Sequence, residues 1–203
     1  MRAEFFARFG LYVERGFLDS ADCRKLRTEM TSTSADAATV AVEGVEAIDD
    51  AYRRTKQARV SQATQSSLEQ HLTALMPALA GHFGLKLSGL QRPQFLIYRE
   101  GDYFRPHPDN SDRPDAARYV RDRRVSAVLF LNDNSEGPPE PDCYTGGALA
   151  FYGLMDEADQ GASVGLPLEG EEGMLIAFPS DLIHAVQPVT GGERYTSVAW
   201  FYE

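Results

Sequence analysis

The sequence is short of several things, and each shortage removes a class of protein. It has two cysteines, Cys23 and Cys143, far apart and in no CxxC pair. A disulfide framework is therefore not expected, and a reduced, cytoplasmic setting is the simpler reading. No stretch approaches 18 uncharged apolar residues, so no membrane span is expected. The opening MRAEFFARFG has charges inside its apolar run and no long hydrophobic region, so no signal peptide is expected either. Basic residues are scarce: 20 Lys and Arg stand against 30 Asp and Glu, a net charge of −10. That balance argues against nucleic-acid binding, which neutralises phosphates with Lys and Arg. No internal repeat is visible.

What is present fits a globular chain. The 203 residues are 43% apolar and 10% aromatic, enough to bury a sizeable core. A single domain over 1–203 is expected, with helical support over 1–90 and a strand-rich core over 91–203. In the first part, FLDSADCRKLRTEM offers Asp19 or Ser20 as an N-cap ahead of Leu26 and Met30. SLEQHLTALMPALAGHF repeats apolar residues at helical spacing, with Pro77 expected to kink or divide the helix and Gly81 and Gly84 to mark its end. Between them, TSTSADAATVAVEGVEAIDD reads as a loop with room for one short strand.

From residue 91 the pattern changes to short segments rich in β-branched and aromatic residues, broken by Gly, Pro, Asn or Asp: PQFLIYRE, RVSAVLFLND, GGALAFYG, GMLIAFPS, HAVQPVT and RYTSVAWFYE. Such a series predicts a mainly β sandwich or barrel with supporting α-helices. Two longer loops interrupt it, after Asp109 and after Tyr152, and are expected to shape the mouth of a site.

One stretch carries chemistry. In YREGDYFRPHPDNSD, Pro106 and Pro108 hold the chain extended around His107. Residues i and i+2 of a strand share a face, so His107 and Asp109 are expected side by side. A metal needs a third donor. His71 and His82 fall in the helical stretch, whereas His184 lies in FPSDLIHAVQPV among apolar strand residues. Two imidazoles and one carboxylate form a facial triad that leaves three positions open, which suits Fe(II) and O2. Such chemistry calls for an electron-supplying co-substrate, and a 2-oxoacid can chelate the metal. For 2-oxoglutarate the far carboxylate would need a cation. Arg194, ten residues after His184 at the head of RYTSVAWFYE, offers a planar fork for it.

At this point the sequence resembles the Fe(II)/2-oxoglutarate-dependent oxygenases of the prolyl 4-hydroxylase-like branch. The resemblance rests on Tyr98, Gly101, Phe104, His107–Pro108–Asp109, Gly146–Gly147, His184 and Arg194 in order, and on SAVLFLND and GMLIAFPSDLIHAVQPV. It covers roughly residues 91–203 and implies a double-stranded β-helix, or jelly roll, as the catalytic core. In that fold the second and seventh strands are neighbours, which would bring His107, Asp109 and His184 to one metal. The resemblance also implies that Arg194 starts the eighth strand and anchors 2-oxoglutarate, that Tyr98 bonds the co-substrate, and that Leu149 lines the same pocket by apolar contact. No catalytic residue is implied beyond the metal ligands. The implied activity is a dioxygenase using Fe(II), 2-oxoglutarate and O2, with ascorbate as a compatible reductant, that hydroxylates an unactivated C–H bond, a peptidyl proline first among targets. Its partner would be a peptide, a protein or a small molecule, with no nucleic acid and no membrane.

Taken singly, these residues have ordinary explanations. His107 and Asp109 can be a surface histidine and a turn residue, His184 a satisfied core histidine, Arg194 the partner of Glu193, and Tyr98 and Trp200 plain core residues. Arg118, Arg121, Arg123 and Arg124 read as a solvated loop face or as a grip for an acidic partner. Three rival functions share the motifs: a non-catalytic metal-binding or sensing module, a hydroxylase of a free amino acid or other small molecule, and a zinc hydrolase.

Overall fold

The structure is a computed structural model that describes residues 3–32, 36–37, 40–42, 45–47, 49–135, 137, 142–154 and 165–203. Eleven strands build the frame: β1 Tyr12–Glu14, β2 Arg53–Arg54, β3 Lys56–Ala58, β4 Gln94–Arg99, β5 Tyr103–His107, β6 Arg123–Phe130, β7 Leu149–Phe151, β8 Leu166–Leu168, β9 Leu175–Pro179, β10 His184–Val186 and β11 Val189–Tyr202. The major sheet, nine-stranded with its short edge pieces, runs β1-β9-β6-β11-β4-β3, and the minor sheet runs β8-β7-β10-β5-β2. This is the expected double-stranded β-helix.

Strand alternation divides the core in two. From β4 and β6, Phe95, Ile97, Val125, Ala127 and Leu129 point outward, against helices α1 (Ser20–Ser32) and α2 (Gln62–Phe83). Those helices answer with Cys23, Leu26 and Met30, and with Leu68, Leu72, Leu75 and Leu79. The intervening residues turn inward. Val128 and Phe130 meet Leu149, Phe151 and Leu168 of the minor sheet, and Leu96 and Tyr98 meet Val186. A two-residue period thus gives one sheet a helix-covered face and a face toward the site.

Several boundaries differ from expectation for physical reasons. Asp19 is the residue that caps α1, since its carboxylate accepts from Asp22 N at 2.8 Å. Helix α2 starts at Gln62, before the apolar repeat, because Ser61 accepts from Thr64 N and Glu29 accepts from Ser61 N at 2.9 Å. Pro77 does not divide it. Pro77 and Thr73, whose carbonyl it leaves without an intrahelical donor, are both exposed, so water can serve that carbonyl. Gly84, at φ 68°, ends the helix, while Gly81 lies inside it. The acidic loop carries three short strands, Asp36–Ala37, Val40–Val42 and Val45–Ala47. The last strand does not begin at Arg194: it starts at Val189, because Gly191 and Gly192 pair with Tyr144–Gly146.

The first 90 residues therefore give both sheets strands as well as helices. Ser61→Ala removes a cap at the start of the longest helix and is expected to cost about 1 kcal/mol of stability, measured as a shift of the urea midpoint at unchanged slope.

Candidate active site

His107 and His184 are brought together by sheet pairing. Strands β5 and β10 run antiparallel with His184 opposite His107, and a register shift follows before Val186 meets Phe104. The two rings lie 4.4 Å apart. Asp109 is not on the strand. It stands two residues past the end of β5, where Asp109 N and Asn110 N both donate to Ser180 O at 2.8 and 3.0 Å. The expected side-by-side placement is reached by that anchor rather than by strand alternation alone. The three groups offer ligand atoms all within 4.8 Å of one another. His107 Nε2 is 3.8 Å and His184 Nε2 is 3.5 Å from the Asp109 carboxylate.

The outer nitrogens fix the tautomers. His107 Nδ1 lies 2.7 Å from Arg105 O and His184 Nδ1 lies 2.9 Å from Leu182 O. A carbonyl can only accept, so each Nδ1 carries the proton and each Nε2 turns a lone pair inward. Phe104 stacks on His107 with centroids 3.5 Å apart, and Phe178 meets His184 edge-on at 4.6 Å. Burial drives the His107 imidazole down to about 3, with His184 adding in the same direction. Burial works to raise the Asp109 carboxyl, but His184, His107 and Arg123 outweigh it and hold it down at about 2. Arg123 is the cation among these that persists when the imidazoles are neutral. At neutral pH His107 is therefore a neutral imidazole and Asp109 a carboxylate, the protonation states a metal requires of such donors.

Deeper in the same cavity, of about 320 Å³, lie Tyr98, Leu149, Arg194 and Thr196. Tyr98 and Arg194 are cross-strand partners in the major sheet. The guanidinium lies over Tyr98 at 5.1 Å and over Phe130 at 5.0 Å, and it is 1% exposed. Its Nη1 reaches Thr196 Oγ1 at 3.4 Å, while Nε and Nη2 have no hydrogen-bond partner among the described residues. The expected alternative pairing with Glu193 does not occur; Glu193 holds Arg99 instead. The buried Tyr144 hydroxyl makes no hydrogen bond of good geometry among the described residues, yet Arg194 lies near enough to oppose the rise that burial imposes on its pKa. Gly147, at φ +62°, makes room: a Cβ there would come within 3.0 Å of Arg194 Cδ and 2.9 Å of Val189 Cγ2.

The mouth gathers two residues the sequence did not single out, Tyr52 and Arg53, and two it read otherwise, Arg123 as a loop-face arginine and Trp200 as plain core. Tyr52 and Arg53 arrive from β2 and the turn before it, and Arg123 from the start of β6. Trp200 is on the cavity wall beneath Arg123, whose guanidinium lies 3.7 Å from the ring centroid. The loop after Asp109 lines the cavity through Asn110, Ser111, Arg113 and Tyr119. The described residues of the loop after Tyr152 do not, and 155–164 lie outside the described residues. His71 and His82 sit exposed on α2, away from the site.

With this geometry in view, the model of the 2OG-Fe(II) oxygenase superfamily matches residues 93–202, and the chain belongs to that family. The family name supplies Fe(II) and 2-oxoglutarate as metal and co-substrate. A PKHD-type hydroxylase of Shewanella sp. (strain ANA-3) is 35% identical over 108 residues, 53% of this chain and 41% of that protein. A PKHD-type hydroxylase of Xanthomonas campestris pv. campestris (strain 8004) is 37% identical over 111 residues, covering 53% and 42%. The match thus spans less than half the length of these curated relatives. In fold, the chain is similar to a Pseudomonas putida prolyl-4-hydroxylase (TM-score 0.72, 24% identity, covering 99% of this chain and 97% of that one). It is also similar to a Trichoplax adhaerens prolyl hydroxylase solved with a hypoxia inducible factor peptide (TM-score 0.69, 19% identity, covering 98% and 86%). No described helix is long and apolar enough to cross a membrane.

Two outcomes follow from the site's packing. His107 stays neutral in the fold down to about pH 3, whereas an unfolded histidine takes a proton near 6.5. Below that pH the unfolded state binds the extra proton, so metal-free protein is expected to lose stability as pH falls from about 6.5 toward 3. Thermal melts should show this slope, and His107→Asn should flatten it. Gly147→Ala is expected to cost about 1–3 kcal/mol through backbone strain and contact with Arg194, read from denaturant midpoints.

Proposed function

We propose that this chain is an Fe(II)- and 2-oxoglutarate-dependent dioxygenase that hydroxylates an unactivated C–H bond, with a peptidyl proline as the favoured target. The observation that carries the reading is the pairing, in one cavity, of an inward-facing His/Asp/His cluster with a buried guanidinium that has no anion among the described residues. His107, Asp109 and His184 would hold the iron. Arg194 would grip the distal carboxylate of 2-oxoglutarate, with Tyr144 a further buried polar group beside it and Tyr98 a hydrogen-bonding wall. Leu149 and Val186 would keep water from that end.

When bound, the iron and co-substrate supply O2 activation coupled to the conversion of 2-oxoglutarate to succinate and CO2, and deliver one oxygen atom to the substrate carbon. The protein's own work is placement. Arg105 O and Leu182 O hold the two imidazoles by their Nδ1 protons, so the donor atoms cannot turn away. Ser180 O holds the Asp109 backbone. The aromatic mouth, with Tyr52, Phe104, Tyr119 and Trp200, can enclose an aliphatic ring while the substrate main chain stays outside.

The zinc-hydrolase reading is less well supported. Beyond the triad, the one lining carboxylate among the described residues is Asp115, which is tied to Arg113 at 2.8 Å, and no lining imidazole is free to act as base. Arg194 would also have no task. A non-catalytic module would bind both cofactors yet yield no succinate with any substrate.

Mixing anaerobic protein with Fe(II) and 2-oxoglutarate should give the weak visible charge-transfer band of the chelate. His184→Ala should abolish metal binding. Arg194→Ala should weaken 2-oxoglutarate by about 100-fold, the worth of two charge-assisted bonds of about 1.5 kcal/mol each, and leave iron binding nearly unchanged. An intact protein without the band would sink the proposal, and unaltered co-substrate affinity in Arg194→Ala would sink the role of that residue. Mass spectrometry for addition of one oxygen atom across peptide and amino-acid panels separates peptidyl from free substrates.

A further inference from the structure

The major sheet meets the cavity in rows, because residues paired across neighbouring strands turn the same way. The deepest row is Arg194 beside Tyr98. The next is Phe130, Thr196 and Leu96 across β6, β11 and β4, and after it come Val128, Val198 and Gln94. Ser126 and Trp200 form the last. The Gln94 row is thus separated from the Arg194 end by the Thr196 row. It adjoins the row of Ser126, whose hydroxyl meets that of Ser180, the residue that tethers Asp109.

Gln94 is out of character in this place. It lines the cavity together with Leu96, Val128, Val198 and Trp200, a largely apolar wall. Its backbone is engaged, since it pairs with Val198 and its carbonyl accepts from Ser197 Oγ at 3.2 Å. Its carboxamide has no hydrogen-bond partner among the described residues. The residue is half-buried, so water can serve that carboxamide. A substrate that fills the cavity displaces such water. It must then pair with the carboxamide or leave a polar group unsatisfied.

We propose that Gln94 recognises the main chain of a peptide substrate, donating from Nε2 to the carbonyl and accepting at Oε1 the N–H of one extended residue next to the target. The proposal rests on the oxygenase reading of the cavity and narrows its substrate to a peptide rather than a free amino acid. A carboxamide has a donor edge, an acceptor edge and no charge. A carboxylate would meet the donor alone and set its oxygens against Oε1. A hydroxyl would serve one edge at a time. An extended residue turns its N–H and C=O to the same side, as in the bonded pairs of an antiparallel ladder, and matches both edges at once.

The probes are acetyl-Ala-Pro-Ala-amide, two esters of it in which lactate replaces the alanine before or after proline, and free proline. Each ester loses one N–H and keeps the shape of the parent. All are titrated anaerobically, by calorimetry, into protein loaded with Fe(II) and 2-oxoglutarate after the chelate band is recorded. At least one ester is expected to bind about tenfold more weakly than the parent, and its position identifies the residue that Gln94 holds. Gln94→Met, of similar length and without a strong donor or acceptor, should weaken the parent about tenfold and bring parent and ester within about twofold. Gln94→Leu provides the same comparison if Gln94→Met does not fold. In either variant the 2-oxoglutarate concentration that half-develops the band should stay within about twofold of the unmodified protein's. Equal binding of the parent and both esters, an ester penalty that survives the substitution, or tighter binding of free proline than of the parent overturns the proposal. So does a larger loss of 2-oxoglutarate affinity, or binding of none of the probes. A missing chelate band before any probe is added defeats the oxygenase reading instead, so the two failures are separate.

Discussion

A guanidinium buried to 1% exposure with no carboxylate beside it among the described residues is the constraint around which this interior is arranged. Such a charge is costly to remove from water, and an unpaired one costs more. The chain offsets part of this with the π faces of Tyr98 and Phe130 and one weak bond to Thr196 Oγ1. Nothing among the described residues completes it. Two neighbours leave the place open: Gly147 has no side chain to fill it, and Leu149 offers no polar atom to satisfy it. A dicarboxylate that supplies the missing anion would therefore stabilise the folded state as it binds, by mass action on the native form.

The metal-type cluster follows a different rule. Its members come from both ends of a cross-strand pair and from a bend beyond one strand, so it forms only when β5 and β10 are in register. A slip of one residue would turn His107 or His184 to the other face. Asp109 is protected from that slip by a separate tether, the two backbone bonds to Ser180 O. Ser180 itself is fixed through its hydroxyl contact with Ser126 of β6, at 3.0 Å, in the major sheet. The carboxylate is thus referenced to one sheet and the imidazoles to the other, and closure of the two sheets sets the donor geometry.

Much of this was legible in the sequence, and what was not has identifiable causes. The period-two strands, the cap at Asp19 or Ser20 and the His107, Asp109, His184 and Arg194 spacing all depend on local pattern. Leu149 and Tyr98 drew attention through family likeness, and both line the cavity. The start of β11 was not legible, because what extends it through two glycines is pairing with Tyr144–Gly146, some 45 residues earlier. Pro77 was misleading because helix breaking depends on which face carries the proline, and here that face is wet. Tyr52 and Arg53 were invisible for a similar reason. A two-residue strand has no period, and its place beside the site is fixed by Phe104, fifty residues later.

The net charge of −10 also constrains how a ligand could arrive at the cavity. At physiological salt, charges are screened over about 8 Å, so the surface acts on whatever is near it and the buried arginines act only on what enters. A folded acidic partner would meet the surface first and be disfavoured. A short extended segment or a small molecule would spend little surface against those charges before it reached the cavity. Whatever enters must also fit past Tyr119 and Trp200 on the cavity wall. The aromatic rim thereby limits what can come beside the His107, Asp109 and His184 cluster.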